Sequence, residues 1–118
     1  MSIEWIEHQG KKILYANYSG IKNGEEIIRM LDLQQKMILA SPEPVLILVN
    51  VENSVMTAEA MAYSKEQLTK LNLKIKKIGA VGVSGLKSIL AKGINAYLGK
   101  ANQEFFSSVE NAKEWLVK

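Results

Sequence analysis

The sequence predicts a small α/β domain in which one mixed, mostly parallel five-stranded sheet is covered by four helices, in the order β-β-α-β-α-β-α-β-α. Three observations carry this expectation. The run Pro44-Val45-Leu46-Ile47-Leu48-Val49-Asn50-Val51 is almost continuously apolar and rich in β-branched residues. Pro42 and Pro44 open it and Glu52-Asn53-Ser54 closes it, the pattern of a strand buried on both faces. Stretches of helical periodicity flank the run at 22–40 and 57–71, and a second buried-strand candidate, Ile78-Gly79-Ala80-Val81-Gly82-Val83, follows. At 118 residues the chain reads as a single domain, 1–118, able to remove roughly two thirds of its unfolded surface from water.

The opening residues alternate, with Ile3, Trp5 and His8 set against Glu4 and Glu7, and Lys12 to Tyr18 is again strand-like. Gly10 between them supplies a turn, so these two strands form an antiparallel hairpin that ends at Ser19-Gly20. Asn23-Gly24-Glu25-Glu26 has the form of a capping box, behind which Ile27, Leu31, Gln34 and Ile38 recur at helical spacing. Met30, Met37 and Met56 read as gap-filling core residues. The helix stops before Ser41-Pro42-Glu43-Pro44, because proline restricts the residue ahead of it and breaks the hydrogen-bond ladder.

After the central strand, Thr57 caps a helix carrying Ala58, Met61, Ala62, Leu68 and Leu71. Gly79 and Gly82 within the next strand imply close approach of a packed helix or a ligand. Ser84 then caps a helix bearing Leu86, Leu90, Ile94 and Tyr97, with Gly99 at its end. Glu104-Phe105-Phe106 forms a short edge strand. A second capping box, Ser107 to Glu110, opens the last helix, in which Val109, Ala112 and Leu116 face the core and Trp115 seals its margin.

Composition narrows the chemistry. The chain has no cysteine, so disulfides, thiolate catalysis and cysteine-bound metal centres are excluded. A net charge of +3 from 15 basic and 12 acidic residues is mild. Its densest basic patch, Lys74, Lys76 and Lys77, reads as a solvated strand edge, and nucleic-acid binding is not expected. Neither a basic leader with an apolar core nor a run long enough to span a bilayer is present, so the expected compartment is the cytoplasm. His8, the sole histidine, lies beside a hairpin turn, and no Gly-x-Ser-x-Gly elbow occurs. An enzyme is not expected, nor a cofactor or a metal.

Ligand sites in parallel sheets favour the crevice beyond the carboxyl ends of the strands. There the sequence places Glu52, Asn53, Ser54 and Thr57 after the central strand, and Ser84, Gly85 and Lys87 after the next. Asn53 and Ser54 are turn formers and Thr57 is a helix cap. The free amides behind Ser84, with Lys87, form a candidate anion site, although without the spaced glycines of a phosphate loop.

The opening Ile3-Glu4-Trp5 hairpin, the strand Val45 to Val51 and the stretch Val81-Gly82-Val83-Ser84-Gly85-Leu86-Lys87 together resemble the anti-sigma-factor antagonist domains, the STAS group, and in particular its compact stand-alone SpoIIAA-like members. The resemblance covers essentially the whole chain. It implies a SpoIIAA-like fold and a non-catalytic, regulatory or protein-interaction role. In that family the loop after the central strand carries an Asp-Ser-Ser-Gly-like motif whose serine is phosphorylated by a partner kinase. Aligned on Val55-Met56-Thr57-Ala58-Glu59-Ala60, the serine position falls on Ala58 or Glu59, so the resemblance implies a member lacking that phosphoserine. The implied partners are a protein or a second copy of the chain. The alternative is a small anionic or lipid-like ligand at the carboxyl edge of the sheet.

Overall fold

The structure, a computed structural model, describes residues 2–55, 57–82 and 103–118. Its elements are β1 (Ser2–His8), β2 (Lys11–Asn17), α1 (Gly24–Ala40), β3 (Val45–Asn50), α2 (Ala58–Lys70), a 3-10 turn (Asn72–Lys74), β4 (Ile75–Val81), β5 (Gln103–Phe106) and α3 (Val109–Leu116). The expected helix from Ser84 to Gly99 lies outside the described residues, so three of the four expected helices are described.

The strands are ordered β1-β2-β3-β4-β5, with β1 antiparallel to β2 and every other pairing parallel. Gln9 and Gly10 close the hairpin with φ of 49° and 79°, the paired positive angles that match the twist of a two-residue turn. β3 lies between β2 and β4, as its two-sided hydrophobicity requires.

Alternation along β3 divides the core. Ile47 packs with Leu14, Ile38, Leu68 and Ile78 beneath α1 and α2. Leu48 packs with Ile13, Val81, Ala112 and Leu116 beneath α3. Gly79 serves the second layer, since a Cβ there would stand 3.4 Å from Ala112 Cβ and 3.6 Å from Leu116, which lets α3 sit close to the sheet. On β1 the expected grouping of His8 with Ile3 and Trp5 does not hold: parity places His8 with Ile6, and Ile6 packs in the α3 layer whereas Ile3 packs in the other.

In α1 the four residues picked out by spacing, Ile27, Leu31, Gln34 and Ile38, are the buried ones, and Asn23 Oδ1 accepts from the Glu25 amide at 2.8 Å. Of the apolar residues named for the α2 segment, Leu68 and Leu71 are buried and Met61 packs against them, whereas Ala58 and Ala62 are exposed and Ala60 and Gln67 are buried as well. Gln67 lies in a polar seam between the helices, where it donates to Gln35 at 2.9 Å and the Tyr63 hydroxyl donates to Asp32. A buried glutamine in such a seam leaves no apolar signal at its own position. The cap of α3 is also shifted by one residue, because Ser108, not Ser107, accepts from Asn111 N at 3.2 Å.

Tyr18 closes the upper core. It is 2% exposed, and its hydroxyl donates to Gln34 Oε1, itself on a buried residue. Burial pushes the phenol well above its ordinary value of 10.0. A group that stays protonated when folded but ionises when unfolded stabilises the fold fully below pH 10, and that stability is lost as the pH rises from there towards the folded value. Tyr18→Phe is therefore expected to cost about 1–3 kcal/mol at neutral pH by stranding the Gln34 oxygen. Above pH 10 the variant's stability should fall less steeply than wild type in denaturant titrations, and parallel slopes would contradict the buried phenol.

Candidate functional site

The carboxyl edge of the parallel strands is built from two loops that bond to one another. The 18–22 loop after β2 and the 51–57 loop after β3 are joined by Tyr18 N to Asn50 O at 2.8 Å, Gly20 N to Glu52 O at 2.9 Å and Val55 N to Ile21 O at 2.8 Å. Val51 N donates to Val81 O at 2.9 Å, which ties the second loop to the end of β4. Asn50, 8% exposed, orients the turn from below: its Oδ1 accepts from Glu52 N at 3.0 Å and its Nδ2 donates to the Tyr15 hydroxyl at 3.3 Å. The exposed stretch beyond it is thus held by backbone bonds on both sides.

Within that frame the candidate residues separate. Glu52 is exposed, with its amide occupied by Asn50 and its carbonyl by Gly20. Asn53 turns the chain with φ of 56°, a conformation asparagine tolerates better than most residues, and its carbonyl accepts from Lys22 Nζ at 2.5 Å. Ser54 is buried and its hydroxyl donates to Val51 O at 2.7 Å, so it builds the turn from inside. Thr57 is exposed and caps α2 by accepting from Ala60 N at 3.1 Å. Ser84, Gly85 and Lys87 lie outside the described residues.

Gly82 resolves one of the two readings the sequence leaves for it. β4 ends at Val81, and Gly82 follows with φ of 83°. A Cβ at that position would stand 2.3 Å from Glu52 Cγ and 2.6 Å from Glu52 N. The close approach is made by the neighbouring loop.

Electrostatically this edge is acidic among the described residues. Glu25 and Glu26 occupy the first turn of α1 and Glu59 that of α2, and Glu52 stands between the loops. The two helix starts are in contact, since a Cβ on Gly24 would meet Thr57 Oγ1 and Cγ2 at 3.1 Å. Their amide ends, which attract negative charge, are each furnished with carboxylates from their own helix. Among the described residues Lys22 brings a cation to this edge, engaged with the Asn53 carbonyl. Beside these charges Val55 is 44% exposed and Ala58 is exposed too. Val55 and Lys22 were not singled out by sequence, and the available signal for Val55 was an apolar residue directly after the polar run Glu52-Asn53-Ser54.

Nothing reactive gathers at this edge among the described residues. His8 lies at the far end of β1, with Nε2 3.6 Å from Glu114 Oε1 on α3, beyond hydrogen-bond reach. No group of three metal-ligating side chains occurs among the described residues, and no described helix is long and apolar enough to cross a membrane.

No protein-family model and no curated protein matches the chain. Among solved structures, it is similar to the crystal structure of an uncharacterised protein of the DUF3478 family from Shewanella loihica, described as having a SpoIIAA-like fold. The TM-score is 0.73 at 16% identity, over 98% of this chain and 92% of that one. The likeness shows the fold, which is SpoIIAA-like.

Proposed function

We propose that this is a non-catalytic, regulatory protein-interaction domain that presents the 52–59 segment to a partner bearing a basic and apolar surface. One observation carries the reading: exposed Val55, on a loop held by backbone bonds, and exposed Ala58, at the start of α2, lie at the edge that also carries Glu52, Glu59, Glu25 and Glu26. A preformed surface of this kind binds without an ordering cost, and its acidic groups select a partner of opposite charge. On the resemblance, the family's phosphorylated serine falls on Ala58 or Glu59, neither of which can carry the phosphate, and this supports binding that is not switched at that position. The alternative, a small anionic or lipid-like ligand at this edge, rests on Ser84, Gly85 and Lys87, which lie outside the described residues.

Affinity capture from native extract, run in parallel with wild type and Val55→Asp/Ala58→Arg, tests the proposal. Both substitutions are at exposed sites and are expected to leave thermal unfolding within about 0.5 kcal/mol of wild type. The expected result is a polypeptide held by wild type in a salt-sensitive manner and lost by the variant. Identical capture by both proteins, or capture unaffected by salt, would refute this surface.

A further inference from the structure

At the opposite end of the sheet an open cavity of about 700 Å³ crosses the amino-terminal edge of the parallel strands. It is bounded by the hairpin turn, the 41–44 loop and the start of β4, and its volume falls within the roughly 300–1,000 Å³ of small-molecule sites. Trp5, Met37, Pro44 and Val45 supply apolar walls, and Trp5 remains 42% exposed there. Lys11, Lys12 and Lys76 line it against one carboxylate, that of Glu43.

The lysines differ in what they already do. Lys11 Nζ donates to Val117 O at 3.1 Å, and neighbouring Lys74 Nζ donates to Ser41 O at 2.6 Å, next to the carbonyl end of α1. The Lys12 and Lys76 side chains make no hydrogen bond or ion pair among the described residues. An aromatic and apolar wall beside two unengaged ammonium groups is complementary to one ligand chemistry. We propose that this cavity binds a small amphipathic anion, its apolar or aromatic body against Trp5, Met37 and Val45 and its single carboxylate, sulfonate or phosphate group held by Lys12 and Lys76. The site lies at the other edge of the sheet from the proposed partner surface and is independent of it.

Titration of the protein with dodecanoate below its micellar concentration, followed by tryptophan fluorescence, tests this directly. Dodecanol, anionic phosphatidylglycerol vesicles and amide chemical shifts complete the experiment. The expected result is a saturable change that is absent in Trp5→Phe, with amide shifts confined to residues 5, 10–12, 37, 40, 41, 43, 45, 46 and 76. Affinity should fall about tenfold in Lys12→Gln/Lys76→Gln and by a similar factor for dodecanol, the scale of charge-assisted hydrogen bonds lost. Both variants change exposed side chains, and unaltered thermal unfolding would show that they fold. Absence of saturation, equal affinity for dodecanol and dodecanoate, shifts centred on 52–57, or binding to vesicles alone would each overturn the proposal.

Discussion

Gly82→Ala is expected to destabilise the protein by about 2–5 kcal/mol, a large share of the roughly 5–15 kcal/mol that holds a domain together. Two costs combine. The backbone at Gly82 has φ of 83°, where an L-residue loses about 1–2 kcal/mol. The added methyl group would also stand 2.6 Å and 2.7 Å from Glu52 N and Cα, backbone atoms that the Asn50 and Gly20 bonds hold in place, and such overpacking costs about 1–3 kcal/mol. Gly10→Ala is the matched control, because Gly10 has φ of 79° but nothing within 4 Å of the new Cβ. It should lose only the conformational part, about 1–2 kcal/mol. Urea unfolding of the two variants separates the terms, and equal losses would mean that the 52 loop does not abut the end of β4.

Ile47→Ala and Leu48→Ala should each cost about 2–5 kcal/mol, although the two residues are adjacent and point in opposite directions. Both are fully buried, Ile47 under α1 and α2 and Leu48 under α3. In a sheet with one wet face, one of the pair would be nearly neutral. The reference is Leu73→Ala, at a residue 89% exposed, which should stay within about 0.5 kcal/mol of wild type. Denaturant midpoints of the three variants therefore measure two-sided burial directly, and a large loss at only one of Ile47 and Leu48 would contradict it.

The fold was legible wherever hydrophobicity alone decides structure. Val45 to Val51 is apolar at consecutive positions because both faces of β3 are covered, and Ile27, Leu31 and Ile38 repeat because α1 buries one stripe. The reading failed where polar groups do the packing. Gln67 and Gln35 satisfy one another between helices, so Gln67 is buried at a position that no apolar pattern marks, while Ala58 and Ala62, apolar in the sequence, are exposed. It failed also where two adjacent residues offer the same chemistry, as Ser107 and Ser108 do for the cap of α3. Gly82 was flagged for the right property, close approach, yet only three-dimensional pairing of the β3 and β4 ends identifies Glu52 as what approaches.

The candidate site was less legible. Position in a parallel sheet points to the loop after β3, on which Glu52, Asn53 and Thr57 are exposed, but Ser54 points into the turn. Hydrophilicity does not distinguish a serine that offers its hydroxyl to solvent from one that closes a turn internally. The contribution of the 18–22 loop was invisible because its bonds to 50–55 are backbone bonds between segments about thirty residues apart, which no side-chain pattern encodes. The acidic character of the edge among the described residues likewise emerges only when the starts of α1 and α2 are brought together, since the chain as a whole carries a net charge of +3.

Native mass spectrometry of the protein taken directly from cells tests the interaction reading most directly. The expected spectrum contains the chain in complex with another polypeptide, and the complex disappears in Val55→Asp/Ala58→Arg while the free chain is retained at its normal abundance. A spectrum holding only the monomer, or a complex that survives those two substitutions unchanged, would contradict the assignment of the 52–59 surface to partner binding.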